Sequence, residues 1–445
     1  MDSFVVTHHV RLQISALLAM TAYQPRIAVI GGGPGGLTLA LLLHKHNIPV
    51  TVFELRPRPT EAEFTQPAGM LDLHEESGLA AIRACDLMEE FNSHTGVCSE
   101  AQIIATKDGN VIYFDDGGPE SRPEISRNSL GKILYDRLPE AAVRWGYKLS
   151  SAKQVTATDG GTEIELDFGS KGEYTFDFVV GSDGTWSKVR KMLTDTKPTY
   201  SGIQLMNLTI RGITSKYPKL AAYIGTGTFT CLGQQRGVMS HRGLHDSARL
   251  YLCFKKADEQ YSATAGIRGA PPAQARDRIL HDDALLGRFG PKIKELVRVA
   301  YAEEAGRSPD AEPAIMPLYV LPPGHRWEHQ KGVTLIGDAA HVMLPFAAEG
   351  VNLAMQDALD VADVIIKATE TAKGDRARFH RRLDLSIGEY EVQMAERAKE
   401  KADEADQNAR MMFEFEDGAT VMADWMNAAM KAAMEQAEPP KTLME

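Results

Sequence analysis

The cluster Gly31-Gly32-Gly33-Pro34-Gly35-Gly36 stands directly between an apolar run, Ile27-Ala28-Val29-Ile30, and a helix-forming run from Leu37 to Leu43. The order predicts a strand, a tight turn and a helix. A second apolar run, Val50-Thr51-Val52-Phe53, ends in Glu54, about 20 residues beyond the turn, where an acidic side chain meets a ribose hydroxyl in dinucleotide-binding folds. Gly31 would permit the turn, Gly33 would let backbone approach a pyrophosphate, and Gly36 would let the helix lie close to the strand. The helix N-terminus then offers unpaired N–H groups and a partial positive charge to the phosphates. This implies a bound dinucleotide, NAD or FAD.

Two later segments carry the same logic. Asp177-Phe178-Val179-Val180-Gly181-Ser182-Asp183-Gly184 is an apolar strand running into an Asp-Gly turn, and Val333-Thr334-Leu335-Ile336-Gly337-Asp338 is another strand ending in Gly-Asp. Each sets a carboxylate at the carboxyl end of a strand, the edge at which open α/β sheets bind ligands.

With Leu71-Asp72-Leu73-His74, Arg127 followed by Leu130 and Leu134, and Gly337-Asp338-Ala339-Ala340-His341 leading to Pro345, Gly350-Val351-Asn352 and Asp357-Ala358, the chain resembles the single-component (class A) FAD-dependent aromatic monooxygenases. This is the family of para-hydroxybenzoate hydroxylase, and the likeness is greatest to its tetracycline-inactivating members. The resemblance runs from Arg26 to about Met412 and implies an α/β fold. Its parts would be a Rossmann-like FAD-binding domain, an inserted β-sheet substrate domain and a long C-terminal helix. It also implies that Glu54 holds the adenosine ribose, that Arg127 lies along FAD, and that Asp338 hydrogen-bonds its ribityl or pyrophosphate part. Asp183 would contribute to FAD and NADPH handling, and Pro345, Gly350, Val351 and Asn352 would pass the isoalloxazine ring. The implied chemistry is reduction of the flavin by transient NADPH or NADH, then reaction with O2 through a peroxyflavin to hydroxylate or epoxidise a small molecule. No catalytic side chain is assigned. His341 is expected to pack or hydrogen-bond behind the site rather than act as a base.

The flavin elements are discontinuous, which divides the chain into an N-terminal extension (1–22), FAD-binding segments (23–196 and 319–375), a substrate domain (197–318) and a C-terminal helical segment (376–445). Alternation in Gln204–Ile210 and Arg249–Phe254 predicts strands with one face buried, followed by a helical tract over about 272–301. From Leu383 to Met412, apolar residues at spacings of three and four predict one helix packed along the body, with a coiled-coil dimer as the alternative. A monomer is the expected state, and a dimer the alternative. Trp186 and Trp327 are read as core residues.

In the tetracycline-inactivating enzymes a glutamine and an arginine of the substrate sheet bind the drug. Here Asn207 stands at the first position and Thr228 or Phe229 at the second, so the arginine is missing, while Arg249 falls on a neighbouring strand. Asn207 and Arg249 are therefore the substrate-binding candidates, and the expected substrate is an apolar phenolic or polyketide-like molecule. A halogenase would show a Trp-x-Trp-x-x-Ile-Pro segment, which the chain lacks. The same scaffold could also serve a prenyl-chain reductase or a non-catalytic FAD-binding protein.

Composition bounds partners. At 445 residues, 43% hydrophobic and 24% charged, the chain can bury a large core in two or three units. A net charge of −11, without a basic block, disfavours nucleic acid and anionic membrane surfaces. Cys85, Cys98, Cys231 and Cys253 have no CxxC spacing, so no metal site and no disulfide framework are expected, and a cytoplasmic location fits. The apolar run Ile14 to Met20 makes a poor secretory signal.

Overall fold

The computed structural model describes residues 23–96, 99–118, 123–307 and 315–437; the extension 1–22 and Cys98 lie outside the described residues. Five strands form a parallel sheet in the order Val333–Leu335, Phe178–Gly181, Ile27–Ile30, Val50–Glu54, Val143–Trp145. The central strand is buried along its whole length, as an apolar run with both sheet faces covered requires. Its in-register pairing sets Ile30 beside Phe53 on one side and Gly181 on the other. The three strand ends that carry the predicted motifs therefore emerge at one edge.

The helix Pro34–Lys45 starts with proline at its first position and buries Gly35 through Leu43. Proline is tolerated there because the first N–H has no helical acceptor. This helix packs against the helix Gly350–Ala372, which packs in turn against the helix Arg376–Phe413. The latter is capped by Asp375, whose carboxylate accepts from the Arg378 N–H at 2.9 Å. The predicted stripe is its buried side: Leu383, Ile387, Tyr390 and Met394 enter the core around the parallel sheet, while Ala405, Ala409 and Met412 enter a second cluster under the other large sheet. The chain then turns and forms a separate helix, Gly418–Ala437.

The second large sheet has seven strands, ordered Ile315–Val320, Thr199–Arg211, Ser247–Lys255, Arg236–Gly243, Thr228–Gly233, Gln102–Thr106, Val111–Asp115. Met206, Leu208, Ile210, Leu250, Leu252 and Phe254 form its buried face, covered by the helices Pro272–His281 and Pro291–Arg307. Two of these strands, Gln102–Thr106 and Val111–Asp115, come from before residue 197, and the parallel pairing of Gln102–Thr106 with Thr228–Gly233 joins them to the sheet. A small sheet, Met70–Asp72, Glu124–Ser126 and Thr95–Gly96, stands between the two large ones. No helix among the described residues is long and apolar enough to cross a membrane.

Candidate active site

Gly31 ends the first strand with φ +111°, and a Cβ there would lie 2.1 Å from the Ser182 carbonyl oxygen. Only glycine fits this turn between two strands. A Cβ on Gly36 would meet the Gly31 carbonyl oxygen at 2.1 Å, so its absence is what lets the helix close on the strand. Gly33 differs: its φ of −77° and ψ of 177° suit any residue, and a Cβ there would meet nothing within 4 Å. The space beside Gly33 opens outward from the helix N-terminus, where Leu37 makes the first intrahelical bond to Gly33 at 2.9 Å and the N–H groups of Gly35 and Gly36 have no acceptor within the helix.

Glu54, buried at the end of its strand, accepts from the Gly32 N–H on Oε2 at 2.7 Å and from the Arg56 N–H on Oε1 at 2.9 Å. It is thus fixed against the glycine turn, and Oε2 retains lone-pair capacity. Asp183 follows the Phe178–Gly181 strand, and its carboxylate accepts from Ser187 Oγ at 2.5 Å and the Lys188 N–H at 2.6 Å. It folds the Asp-Gly turn on itself. Burial nevertheless raises its carboxyl above the usual range, against those hydrogen bonds.

Asp338 begins a short helix, Asp338–His341. Its side chain reaches solvent, yet the protein around it raises the carboxyl, with His341 and Arg127 opposing. Arg127, at the start of the helix Arg127–Asp136, is exposed, and its guanidinium makes no hydrogen bond or ion pair among the described residues. Its own N–H donates to the Gly69 carbonyl at 2.9 Å.

Pro345 lies in the 3-10 turn Pro345–Ala347 ahead of Gly350. Asn408 of the long C-terminal helix holds that turn by donating to the Phe346 carbonyl at 3.0 Å. Gly350 and Val351 open the helix Gly350–Ala372. The Asn352 side chain is buried and fully engaged: Oδ1 accepts from the His74 N–H at 2.9 Å, and Nδ2 donates to the Asp72 carbonyl at 2.9 Å. It clasps the Leu71–His74 segment to the helix N-terminus.

Several residues hold the motifs together, and of these Arg190, Glu349, Arg397 and Lys401 escaped sequence reasoning. The buried Arg190 guanidinium donates to the Thr185 carbonyl at 2.7 Å and the Ala339 carbonyl at 2.8 Å, tying the Asp-Gly turn to the Gly-Asp turn. It stands seven residues after Asp183, with no spacing rule to mark it. Asp357, fully buried, accepts from the Gly337 N–H at 2.9 Å, pairs with His341 Nε2 at 2.7 Å and takes Arg397 at 2.9 Å. His341 therefore braces the turn from behind. His74 lies 3.6 Å from Asp72 and 3.5 Å from Glu349, which also binds Lys401 at 2.6 Å. These carboxylates raise the imidazole to about 9, so it is charged near neutrality.

Trp186 corrects its assignment to the core. It is 59% exposed, standing edge-on to Tyr319 with ring centroids 4.7 Å apart, because the turn shaped by Asp183 points it out of the sheet. Trp327 is partly buried against the core. Asn207 and Arg249 lie on the seven-stranded sheet, on the face opposite Met206 and Leu208, where Asn207 pairs with Tyr251 and Thr209 with Arg249. Cys85, Cys231 and Cys253 are buried free thiols.

The family model described as an FAD binding domain matches residues 25–284 and 325–380. The monooxygenase asqM of Emericella nidulans is 32% identical over 413 residues, spanning 84% of this chain and 92% of that protein. The monooxygenase penA of Penicillium thymicola is 33% identical over 403 residues, with the same shares, 84% and 92%. Among solved structures, the tetracycline destructase Tet(51) aligns with a TM-score of 0.61 at 18% identity, covering 92% of this chain and 95% of that one; at that identity the likeness speaks for the fold. With a glycine turn, a buried carboxylate at Glu54 and two later strand ends gathered on one edge, the chain belongs to the FAD binding domain family and is an FAD-dependent monooxygenase.

Proposed function

We propose that FAD lies across the carboxyl edge of the parallel sheet and that a small apolar phenolic or polyketide-like molecule, oxygenated there, enters between this edge and the open face of the seven-stranded sheet. The observation that carries this reading is the open space beside Gly33 at a helix N-terminus, with Glu54 held against Gly32 and Asp338 following a strand of the same parallel sheet. Gly31, Gly33 and Gly36 would form the pyrophosphate cradle, Glu54 would accept a ribose hydroxyl on Oε2, and Arg127 would take a cofactor oxygen with its unpaired guanidinium. Asp338 would accept from the ribityl or pyrophosphate part.

Two candidates act less directly in this reading. The Asp183 carboxylate is consumed by its own turn, so it shapes the backbone beside the cofactor. Asn352 is consumed by Asp72 and His74, so it positions the helix N-terminus. Bound FAD supplies acceptance of hydride from NAD(P)H and activation of O2. The protein's share is to orient both partners, to exclude water, and to set the N–H groups at Gly350 to Asn352 toward negative charge at the pyrimidine end. Asn207 and Arg249 supply polar contacts to the substrate from the sheet.

One experiment tests this reading. The purified protein should carry or take up FAD, bleach on addition of NADPH or NADH, and consume O2 faster when a suitable phenolic or polyketide-like compound is present. A protein that refuses FAD, or whose NAD(P)H oxidation no member of such a panel stimulates, would refute it.

A further inference from the structure

The seven-stranded sheet ends in a free edge. Its last strand, Val111–Asp115, pairs with Gln102–Thr106 on one side only, so the N–H and C=O groups along its outer side have no strand to bond among the described residues. Such an edge is a template for another strand, and folded proteins guard it with lysine, proline or a bulge. The strand carries neither lysine nor proline; its one irregularity is a shift of register opposite Ile104 and Ala105. Tyr113 turns inward to the core under the helix Gly418–Ala437. Val111, Ile112 and Phe114 are exposed, and Phe114, at 65%, is the most exposed large hydrophobic side chain among the described residues. The same helix packs against the strand and carries two more exposed apolar side chains, Trp425 and Met430. Apolar groups gathered at an unpaired edge favour burial against a partner.

The two ends of the strand differ in charge. Lys107 stands in the turn that leads into it, paired with Asp108 at 2.9 Å. Lys292 packs against Gly109 of that turn with its ammonium over the Tyr223 ring, and no carboxylate pairs with it among the described residues. At the far end, Asp115 and Asp116 accept from the Gly117 and Gly118 N–H groups at 3.0 and 3.1 Å, and neither meets a cation among the described residues. A strand with a basic start and an acidic end is complementary to a second copy of itself running antiparallel. A parallel copy would set like charges together, which is unfavourable.

We propose that the strand Val111–Asp115 is a docking edge for a second copy of this chain. The two strands pair antiparallel about a two-fold axis, so that the two seven-stranded sheets become continuous, the exposed apolar side chains cover one another, and each Lys107 end faces the partner's acidic end. A two-fold contact of this kind closes at two copies. The inference concerns a surface apart from the flavin motifs and does not depend on the monooxygenase reading.

Sedimentation of the full, FAD-loaded chain over a dilution series tests it. A dimer in exchange with monomer is expected, and Phe114→Lys should raise its dissociation constant about 10-fold or more, with the flavin spectrum and unfolding temperature close to those of the parent because the side chain is exposed. Lys107→Glu and Asp116→Lys should each weaken the dimer. An equimolar mixture of these two variants should restore it, since only the mixed pair has opposite charges at both ends. A chain that is monomeric at every concentration, a dimer untouched by Phe114→Lys, a mixture no better than its components, or growth into open-ended assemblies overturns the proposal.

Discussion

Replacing Gly33 with alanine separates what the fold needs from what the cofactor needs. The Gly33 backbone, at φ −77° and ψ 177°, is one that alanine adopts freely, and the added methyl would meet no protein atom within 4 Å. Folding of the apoprotein should therefore be unharmed, and even favoured by about 0.4–1 kcal/mol, because alanine has less freedom to lose than glycine. The methyl would instead project into the space proposed for the pyrophosphate. Crowding of one methyl group against a bound partner costs about 1–3 kcal/mol, which corresponds to a loss of FAD affinity of roughly 5- to 150-fold. Gly36→Ala is the control, since its Cβ would meet the Gly31 carbonyl oxygen at 2.1 Å and should damage the fold itself. The measurement is FAD titration of the apoprotein by fluorescence quenching, with thermal unfolding of the same samples. Gly33→Ala that binds FAD as tightly as the parent would show that no phosphate passes there.

Asp338→Ala removes an exposed carboxylate at the end of a sheet strand and should weaken FAD retention about ten- to a hundredfold, the effect of losing one charge-assisted bond worth roughly 1.5–3 kcal/mol; unchanged flavin content after dialysis would refute the assignment. Asp357→Ala strands the Gly337 N–H, His341 and Arg397 in the interior and should cost about 3–5 kcal/mol of stability, read from the shift of the denaturant midpoint of the apoprotein. His74 gains its proton's stabilisation from Asp72 and Glu349, which raise it to about 9. Because the folded value lies above the unfolded one of about 6.5, that contribution is complete below about pH 6.5 and is lost as pH rises through about 9. His74→Gln should flatten the decline of the unfolding temperature over this range, and an unaltered profile would show that the His74 cluster does not titrate there.

The parts of the fold governed by short-range rules were legible. The turn at Gly31, the helix behind it and Glu54 follow from sterics and from a spacing of strand, turn and strand, all within one unit of chain. The alternation of Met206, Leu208 and Ile210 against Asn207 and Thr209 announces a sheet with two unlike faces. What was hidden depends on pairing across distance. Nothing local to Gln102–Thr106 says that it will lie parallel to Thr228–Gly233, because a strand's propensity is the same whichever sheet it joins. Arg190 and Glu349 are ordinary charged residues until folding sets Ala339 beside Thr185, or Lys401 beside the start of the Gly350–Ala372 helix. Trp186 misled for the same reason: an aromatic side chain is expected in the core, but a turn closed by Asp183 and Ser187 aims this one at solvent.

The residues that brace the site share a purpose that explains where they fall. A ligand site assembled from three separated stretches of chain must be held in register by bonds between those stretches, since backbone pairing ends where the strands end. Arg190 spans the second and third stretches, Asp357 ties the third to the helix Arg376–Phe413, and Asn352 ties the Leu71–His74 segment of the first to the third. Their polar atoms are spent on protein rather than ligand, so each bond in this set is costly to leave half-made. The groups proposed to face the cofactor are the complement of this set: the Arg127 guanidinium lacks a charged partner among the described residues, and Asp338 is exposed. In this chain the distinction between a residue that builds the site and one that uses it is therefore readable from whether its hydrogen-bonding capacity has already been consumed.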